Sequence, residues 1–193
     1  MSAAPEPAPL FTVLVVVGTD HHRFDRLVDW VDDWTSRQVH PTRVVFQHGS
    51  AKPPRVAEGH ALLPHEELQE LMAGADVLVT HGGPATICEA WRHGRLPLVV
   101  PRDPARDEHV DGHQQRFSRR LGSQGLVLLC EQADELERLL DRARRDPASV
   151  SRPYEERAGS VTTSVDRVRE IVDALVEERA VRGRRGLRRL VGR

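Results

Sequence analysis

The feature of this sequence that most constrains its fold is the alternation of short apolar runs with longer amphipathic stretches. The first run, Phe11–Val17, is rich in β-branched residues and ends at Gly18, a pattern typical of a strand buried on both faces of a parallel sheet. Further strands are predicted at Arg43–Gln47, Leu62–Leu63, Asp76–Thr80, Leu96–Val100 and Leu126–Cys130. Helices are predicted around Phe24, Leu27, Val28 and Val31, at Glu66–Ala73, Pro84–His93, Val110–Leu121 and Asp134–Arg144, and along a last stripe of Val161, Val165, Val168, Val172 and Leu175. Because strands alternate with helices, we predict an α/β fold, a Rossmann-like parallel sheet with helices on both faces.

The length and charge of the chain indicate one domain with two tails. The chain has 193 residues, enough for one domain with a sizeable core. We predict a disordered tail over residues 1–10, a folded domain over residues 11–181 and a basic tail over residues 182–193. Residues 179–193 contain seven arginines and no acidic residue, whereas the whole chain has a formal net charge of −1. The body of the chain is therefore acidic, which argues against general binding of nucleic acid.

Cysteine usage and the N-terminal segment bear on where the protein works. Cys88 and Cys130 lack metal or redox spacing and lie in apolar contexts, which predicts buried thiols in a reducing compartment. Residues 1–9 contain no basic residue, unlike a signal peptide, and no apolar run approaches the ~20 residues that span a bilayer. We therefore expect a cytoplasmic protein, whose arginine-rich tail can contact anionic lipid at the inner face of the cell membrane.

Two turns at predicted strand ends have the composition of an anion site. Gly18 lets a ligand approach the backbone after the first strand, and Thr19 offers a hydroxyl, although a simple turn has the same composition. In the segment 81–86 two glycines open a helix and Pro84 suits its first position, so free N–H groups and the helix dipole favour a phosphate. His81 is a potential donor to a phosphate oxygen, and Glu89 can accept from ribose hydroxyls. The alternative is a tight turn followed by a solvent-exposed Glu89.

A third polar segment follows the predicted strand at Leu96–Val100. Residues 108–115 (Glu-His-Val-Asp-Gly-His-Gln-Gln) carry side chains that both donate and accept, which suits the hydroxyls of a sugar. The alternative is an ordinary exposed helix start. Histidines also bind metals, but no ligand pattern is complete within this segment, so we predict no metal site.

Taken together, these segments resemble glycosyltransferase family 28, specifically its C-terminal, donor-binding domain. The resemblance rests on Gly18-Thr19 followed by Phe24-Asp25-Arg26-Leu27, on Ala75-Asp76-Val77 with the segment from His81 to Ala90, on Leu96–Pro101, and on His109–Gln115. The small stand-alone members are the most similar. They include the catalytic subunit of the two-part dolichol-pathway N-acetylglucosamine transferase and bacterial exopolysaccharide glycosyltransferase subunits.

The resemblance implies a single GT-B half-domain and a set of roles. The diphosphate would bind the two glycine turns, at Gly18, Thr19, Gly82, Gly83, Ala85 and Thr86, and His81 would be the catalytic group. The ribose would bind Glu89, and the uracil would lie at Leu63 and Pro64. The donor sugar would bind His113, Gln114 and Gln115. The implied reaction is an inverting, metal-independent transfer without a cofactor, from UDP-N-acetylglucosamine or another UDP-hexose to a lipid-linked or polysaccharide acceptor. A membrane-associated partner subunit would bind that acceptor. The alternative is a non-catalytic nucleotide-sugar-binding or regulatory subunit.

Two residues depart from the family pattern. Pro84 removes one N–H from the phosphate turn, and Asp20 places a negative charge beside Gly18, where we expect it to cap the following helix. Two other nucleotide-binding classes are disfavoured. No G-x-G-x-x-G follows the first strand, which argues against a dinucleotide-binding domain. A UDP-sugar epimerase would need a second domain or a catalytic pair of carboxylates, and neither is visible.

Overall fold

A computed structural model describes residues 10–151, so the predicted last helix and basic tail lie outside the described residues. The strands are β1 (Phe11–Val16), β2 (Thr42–Gln47), β3 (Glu58–His60), β4 (Val77–Thr80), β5 (Leu98–Val99) and β6 (Leu128–Leu129). The helices are α1 (Asp25–Ser36), α2 (His65–Gly74), α3 (Pro84–Arg92), α4 (His113–Ser123) and α5 (Ala133–Arg145), with 3-10 turns at Pro104–Arg106 and Pro147–Val150.

The six strands form one parallel sheet in the order β3-β2-β1-β4-β5-β6. Val13 of β1 pairs with Val44 of β2 on one side and with Val77 of β4 on the other. The first three strands therefore follow one another from β1 towards one side of the sheet, and β4, β5 and β6 follow one another towards the other side. The order in which strands are added reverses between β1 and β4. In sheets of this kind ligands bind at that reversal, outside the carboxyl ends of the strands.

The core lies on both faces of the sheet, as the sequence predicts. Val13 and Val15 of β1 pack with Leu27 of α1 and Leu136 of α5 in one buried cluster. The alternate β1 residues Leu14 and Val16 pack on the opposite face, with Met72 of α2 and Ala90 of α3. Successive side chains of a strand point to opposite faces, so one apolar run supplies both clusters. The predicted Rossmann-like α/β fold is confirmed.

Two predicted elements were wrong in position. The strand expected at Leu62–Leu63 is instead the polar segment Glu58–His60, because an edge strand needs only backbone pairing with β2 and no apolar pattern. The helix expected from Val110 begins at His113, since the Asp111 carboxylate accepts from the His113 N–H at 2.9 Å and forms the turn that starts it.

The cysteine prediction is partly confirmed. Cys130 is buried, but Cys88 is only half-buried, and both are free thiols. Burial raises the pKa of both thiols, so neither has the character of a reactive thiolate. Within residues 10–151, no helix is both long enough and apolar enough to cross a bilayer.

Candidate functional site

The turns that follow β1, β4 and β5 meet at the carboxyl ends of the strands. The His81 N–H donates to the carbonyl of Val16 at 3.2 Å, and the Val100 N–H donates to the carbonyl of Thr80 at 2.9 Å. These bonds continue the ladder past the ends of the strands. Three loops far apart in sequence therefore lie side by side where the strand order reverses.

The ring of His81 lies between the two glycine turns. A Cβ added at Gly18 would lie 2.8 Å from His81 Cε1, and one added at Gly83 would overlap His81 Nε2. Gly18 also has a φ of +77°, which side chains rarely adopt. Both positions thus need glycine because one imidazole packs against each of them. The sequence predicted these residues as one site, and the fold brings them into contact.

His81 is a neutral residue in this structure. Burial, and then the nearby charge of Arg102, lower the pKa of His81 to about 4. Its Nδ1 lies 3.4 Å from the carbonyl oxygen of Val16. A ring that donates from Nδ1 leaves Nε2 as an acceptor, so a phosphate would need the other tautomer or a protonated ring.

The lowered pKa of His81 predicts a loss of stability in acid. The unfolded chain takes up this proton near the ordinary value of 6.5, whereas the folded chain resists it down to about 4. Stability is therefore lost as the pH falls through that window. Between pH 7 and pH 4 we expect the wild type to lose about 2–3 kcal/mol more than a His81→Asn variant. Urea unfolding of both proteins at several pH values measures this difference, and parallel pH profiles would contradict it.

The buried cation of the site is Arg102, which follows β5 after Val100 and Pro101. It is only 1% exposed, and its guanidinium donates to the carbonyls of Val17 at 3.0 Å, His22 at 2.8 Å and Glu108 at 3.1 Å. Burial lowers the pKa of Arg102, and the charges of Asp20 and Glu108 oppose that effect. One side chain therefore holds together the loops that precede α1 and α4. The sequence analysis missed it, although a charged residue soon after a buried strand was a usable signal.

A second buried contact connects α1 to the loop before α4. Arg26 donates from Nε to Glu108 Oε1 at 2.8 Å and from a terminal nitrogen to Oε2 at 2.7 Å. Both side chains are nearly buried, at 11% and 5% exposed. A bidentate pair of this kind restricts geometry as well as adding energy. The Phe24–Leu27 segment that marked the family resemblance therefore has a structural role here.

Asp20 does not cap α1, contrary to the prediction. The helix begins at Asp25, and the Asp20 carboxylate instead accepts from the backbone and ring nitrogens of His22 at 2.7 Å each. Burial acts to raise the pKa of Asp20, but the hydrogen bonds from His22 and the charge of Arg102 outweigh it and bring the pKa to about 2. Asp20 is thus ionised beside the Gly18 turn.

Gln47 at the end of β2 holds the Gly18 turn from the other side. Its Oε1 accepts from the Gly18 N–H at 3.1 Å, and its Nε2 donates to the carbonyls of Gly18 at 3.0 Å and Ala61 at 2.9 Å. Ala61 precedes Leu63, which is half-buried, and Pro64, which is exposed at the start of α2. The Gly18 N–H is therefore used within the protein and is not a free donor for a phosphate.

The remaining predicted residues are divided between the turn and its rim. Gln114 is buried, accepts from the Arg102 N–H at 3.3 Å, and packs where a Cβ on Gly82 would clash. Gln115 is half-buried, and His113 is exposed with its Nδ1 2.5 Å from Asp111. At the start of α3, Ala85 is exposed, Thr86 is buried, and Glu89 is half-buried on the second turn. Of the three predicted sugar-binding residues, only Gln114 contacts the glycine turn.

These observations define a class of protein. A doubly wound parallel sheet, with glycine turns and a helix N-terminus at the reversal of strand order, is the nucleotide-binding type of α/β domain. The chain belongs to the glycosyltransferase family 28 C-terminal domain family, which matches residues 12–172. The family predicted from the sequence motifs is therefore confirmed. The stand-alone character of the subunit stays a prediction.

Solved glycosyltransferase structures share this fold. The glycotransferase of kitacinnamycin superposes with a TM-score of 0.53 at 20% identity, over 77% of this chain and 38% of its own. The calicheamicin glycosyltransferase superposes with a TM-score of 0.53 at 19% identity, over 76% of this chain and 37% of its own. MurG of Acinetobacter baumannii superposes with a TM-score of 0.51 at 17% identity, over 76% of this chain and 44% of its own. The chain thus spans less than half of each of these proteins and has the fold of one GT-B half-domain. Among curated proteins, none matches the sequence.

Proposed function

We propose that this chain is the donor-binding part of a glycosyltransferase that takes its sugar from a UDP-sugar, either UDP-N-acetylglucosamine or another UDP-hexose. The observation that carries the proposal is the position of the α3 N-terminus. It directly follows the His81 turn, at the reversal of strand order, and the charge of the buried Arg102 acts on His81. Such a helix end, with a positive charge nearby, favours a diphosphate.

The diphosphate would be held mainly by the first turn of α3. The N–H groups of Ala85 and Thr86 belong to the first helical turn, where intrahelical partners are lacking, and Thr19 adds an exposed hydroxyl. Glu89, one turn further along α3, would accept from the ribose hydroxyls. The uracil would lie at the Leu63–Pro64 segment.

The transfer step needs the charge that develops on UDP to be stabilised. The α3 dipole and the field of Arg102 would supply this without reorganisation during the reaction. A bound diphosphate would also raise the pKa of His81, because two negative phosphates would oppose the effects of burial and of Arg102, which now lower it. His81 would then donate an N–H to the leaving phosphate. Gln114 would orient the sugar, with Gln115 and His113 at the rim.

The acceptor would be bound by a second, membrane-associated subunit, in line with the resemblance to two-part enzymes. Under this proposal the acceptor is lipid-linked or a polysaccharide, and residues 182–193 bring the chain to the inner face of the membrane. A general base for the acceptor hydroxyl would come from the partner.

A non-catalytic donor-binding subunit is the second candidate, and one observation favours it. The Gly18 N–H is engaged by Gln47, and Pro84 has no N–H to offer. Two backbone donors expected for the phosphates are thus missing. Such a subunit would bind UDP-sugars, yet it would not support transfer with any partner.

Titration calorimetry with UDP tests the proposal. Glu89→Ala is expected to weaken UDP binding by about 1–3 kcal/mol, because the ribose hydroxyls lose a charged acceptor. Glu70→Ala, which removes an exposed carboxylate from α2, serves as the matched control and should bind as the wild type does. Equal affinity in the two variants, or tighter binding of ATP or NAD than of UDP, would overturn the proposal. Transfer to an acceptor by the chain with its partner subunit then separates the enzyme from the non-catalytic alternative.

A further inference from the structure

A polar groove lies between α1, the 3-10 turn at Pro104–Arg106 and α4. It consists of a cavity of about 470 Å³ near the start of α1 and a cavity of about 160 Å³ beside α4. Arg26 and Arg106 border both cavities, so the two adjoin. The smaller cavity is also bordered by Gln115, whereas Gln114 contacts the glycine turn of the candidate site. Successive residues of a helix point about 100° apart, so the polar groove lies on a different side of α4 from that site.

The charged side chains along the polar groove occur as ion pairs. Each of its four arginines has a nitrogen within 3.4 Å of a carboxylate oxygen, in the pairs Arg23–Asp25 at 2.8 Å, Arg26–Glu108 at 2.7 Å, Arg106–Asp103 at 3.4 Å and Arg119–Glu131 at 2.8 Å. With Asp107, the described border carries four guanidiniums and five carboxylates, so its net charge is close to zero. A surface with balanced charges gives little long-range attraction to an ion of either sign.

These pairs suit a ligand whose groups both donate and accept hydrogen bonds. A guanidinium has five N–H donors and a carboxylate accepts at about four lone-pair sites, which is more than one ion pair uses. Each pair therefore presents spare donors and acceptors side by side, as the adjacent hydroxyls of a sugar require. The amide of Gln115 adds one more group of both kinds.

The composition of the smaller cavity argues against a protein ligand. Among the described residues that border it, Pro101 is the only apolar one. The core of a protein interface is instead apolar and rich in aromatic residues. A ligand rich in hydroxyl groups is therefore favoured over the surface of another protein.

The walls of the polar groove are fixed by contacts within the protein. Besides its pair with Glu108, Arg26 donates to the carbonyl of Pro101 at 3.1 Å. The Glu108 carboxylate also accepts from the Asp103 N–H at 2.8 Å, and the Asp103 carboxylate accepts from the Ala105 N–H at 2.9 Å. A ligand therefore meets side chains that are already ordered, which lowers the entropic cost of binding.

We propose that the polar groove binds an uncharged saccharide chain, with one sugar ring in the smaller cavity and the chain continuing through the larger one. A cavity of about 160 Å³ is smaller than the roughly 300–1,000 Å³ of pockets for drug-sized ligands, and it has the size of a single sugar ring. If the proposed function holds, this saccharide is part of the acceptor, and the chain adds a second contact to the one made by the partner subunit. Saccharide binding itself requires only the groove.

The test is saccharide binding by the full chain without nucleotide or partner. The probes are uncharged tetrasaccharides of glucose, galactose, mannose and N-acetylglucosamine, titrated while the amide signals of the protein are followed by NMR. At least one of them is expected to bind with a dissociation constant below about 10 mM and to shift the signals of Asp107 and Gln132, which border the two cavities. A tetramer of galacturonic acid, which carries four carboxylates, should bind more weakly than the best uncharged probe.

Arg119→Met tests the groove directly, because methionine keeps much of the side-chain length but has no donor. This variant is expected to weaken saccharide binding about fivefold and to leave UDP binding unchanged. Arg138→Met is the matched control, since Arg138 is an equally exposed arginine that pairs with Asp134 on α5, and it should bind saccharide as the wild type does. Urea unfolding checks that both variants are folded.

Three results would overturn the proposal. They are the failure of all four uncharged probes to bind below about 10 mM, tighter binding of the galacturonic acid tetramer, and equal losses in Arg119→Met and Arg138→Met. Weaker association of Arg119→Met with the partner subunit, with saccharide binding intact, would instead assign the groove to a protein interface. Loss of UDP binding in Glu89→Ala with saccharide binding intact bears on the donor site, so the two proposals fail separately.

Discussion

Replacement of Arg102 by methionine is expected to destabilise the domain by about 3–5 kcal/mol, because a buried donor group is removed and its partners stay buried. The carbonyls of Val17, His22 and Glu108 would each lose a hydrogen bond. The guanidinium also lies 4.9 Å from the ring centre of Phe24, a contact that methionine replaces only in part. Methionine removes the cost of burying a charge, which offsets some of this loss. The three carbonyls nevertheless stay without their donor. Urea unfolding at neutral pH measures the change in free energy.

The same variant should also lose UDP binding, measured by calorimetry under conditions where it is folded. Arg106→Met is the matched control, since Arg106 is 59% exposed and, within residues 10–151, pairs only with Asp103, at 3.4 Å. That control should change stability by less than about 0.5 kcal/mol. Arg102→Lys restores the charge but not the three-way geometry, so we expect it to recover only part of the stability. A change below about 1 kcal/mol in Arg102→Met would show that the three carbonyls are satisfied in another way.

Gly83→Ala is expected to lower the affinity for UDP at least tenfold and to cost about 1–3 kcal/mol of stability, the usual range for overpacking. The backbone of Gly83 has a φ of −80°, which alanine adopts freely, so the effect comes from the added methyl group alone. That group would overlap the His81 ring, which Gly18 confines on its other side. The ring must then leave its position or displace the start of α3. Calorimetry and urea unfolding measure the two effects.

A second substitution identifies the cause. In a His81→Ala background the three atoms nearest to the methyl group at residue 83 are gone, so Gly83→Ala should then cost less stability. The two substitutions are therefore expected to be non-additive, as residues in contact are. Gly74→Ala is the control, because a Cβ there has no neighbour within 4 Å. Additive effects of residues 81 and 83 would contradict the packing described for His81.

Periodicity and turn composition predicted most of this fold, because they report local structure. The β-branched run at β1 and the glycine-to-proline start of α3 are local signals, and both elements were confirmed. The polar strand β3 was missed because its pairing with β2 leaves no apolar pattern in the sequence. An edge strand of three residues is defined almost wholly by its neighbour.

The candidate site was predicted in its composition but not in its connections. Gln47 contacts a turn 29 residues away, and Arg102 contacts a carbonyl 85 residues away. Such contacts follow from the order of strands in the sheet, which residue patterns along the chain do not reveal. For the same reason, the sequence gives no sign that Asp20 and His109 are neighbours.

The Gln47 amide has a mechanical consequence for ligand entry. One planar group spans the turn after β1 and the segment before Leu63, with all three of its hydrogen bonds at 3.1 Å or less. Ala61 cannot shift by more than about 0.5 Å away from Gln47 without breaking this hydrogen bond or pulling Gly18 with it. The Gly18 turn and the Ala61 segment are therefore coupled through one side chain. A ligand that displaced Ala61 would have to break a hydrogen bond of Gln47 or displace the Gly18 turn as well.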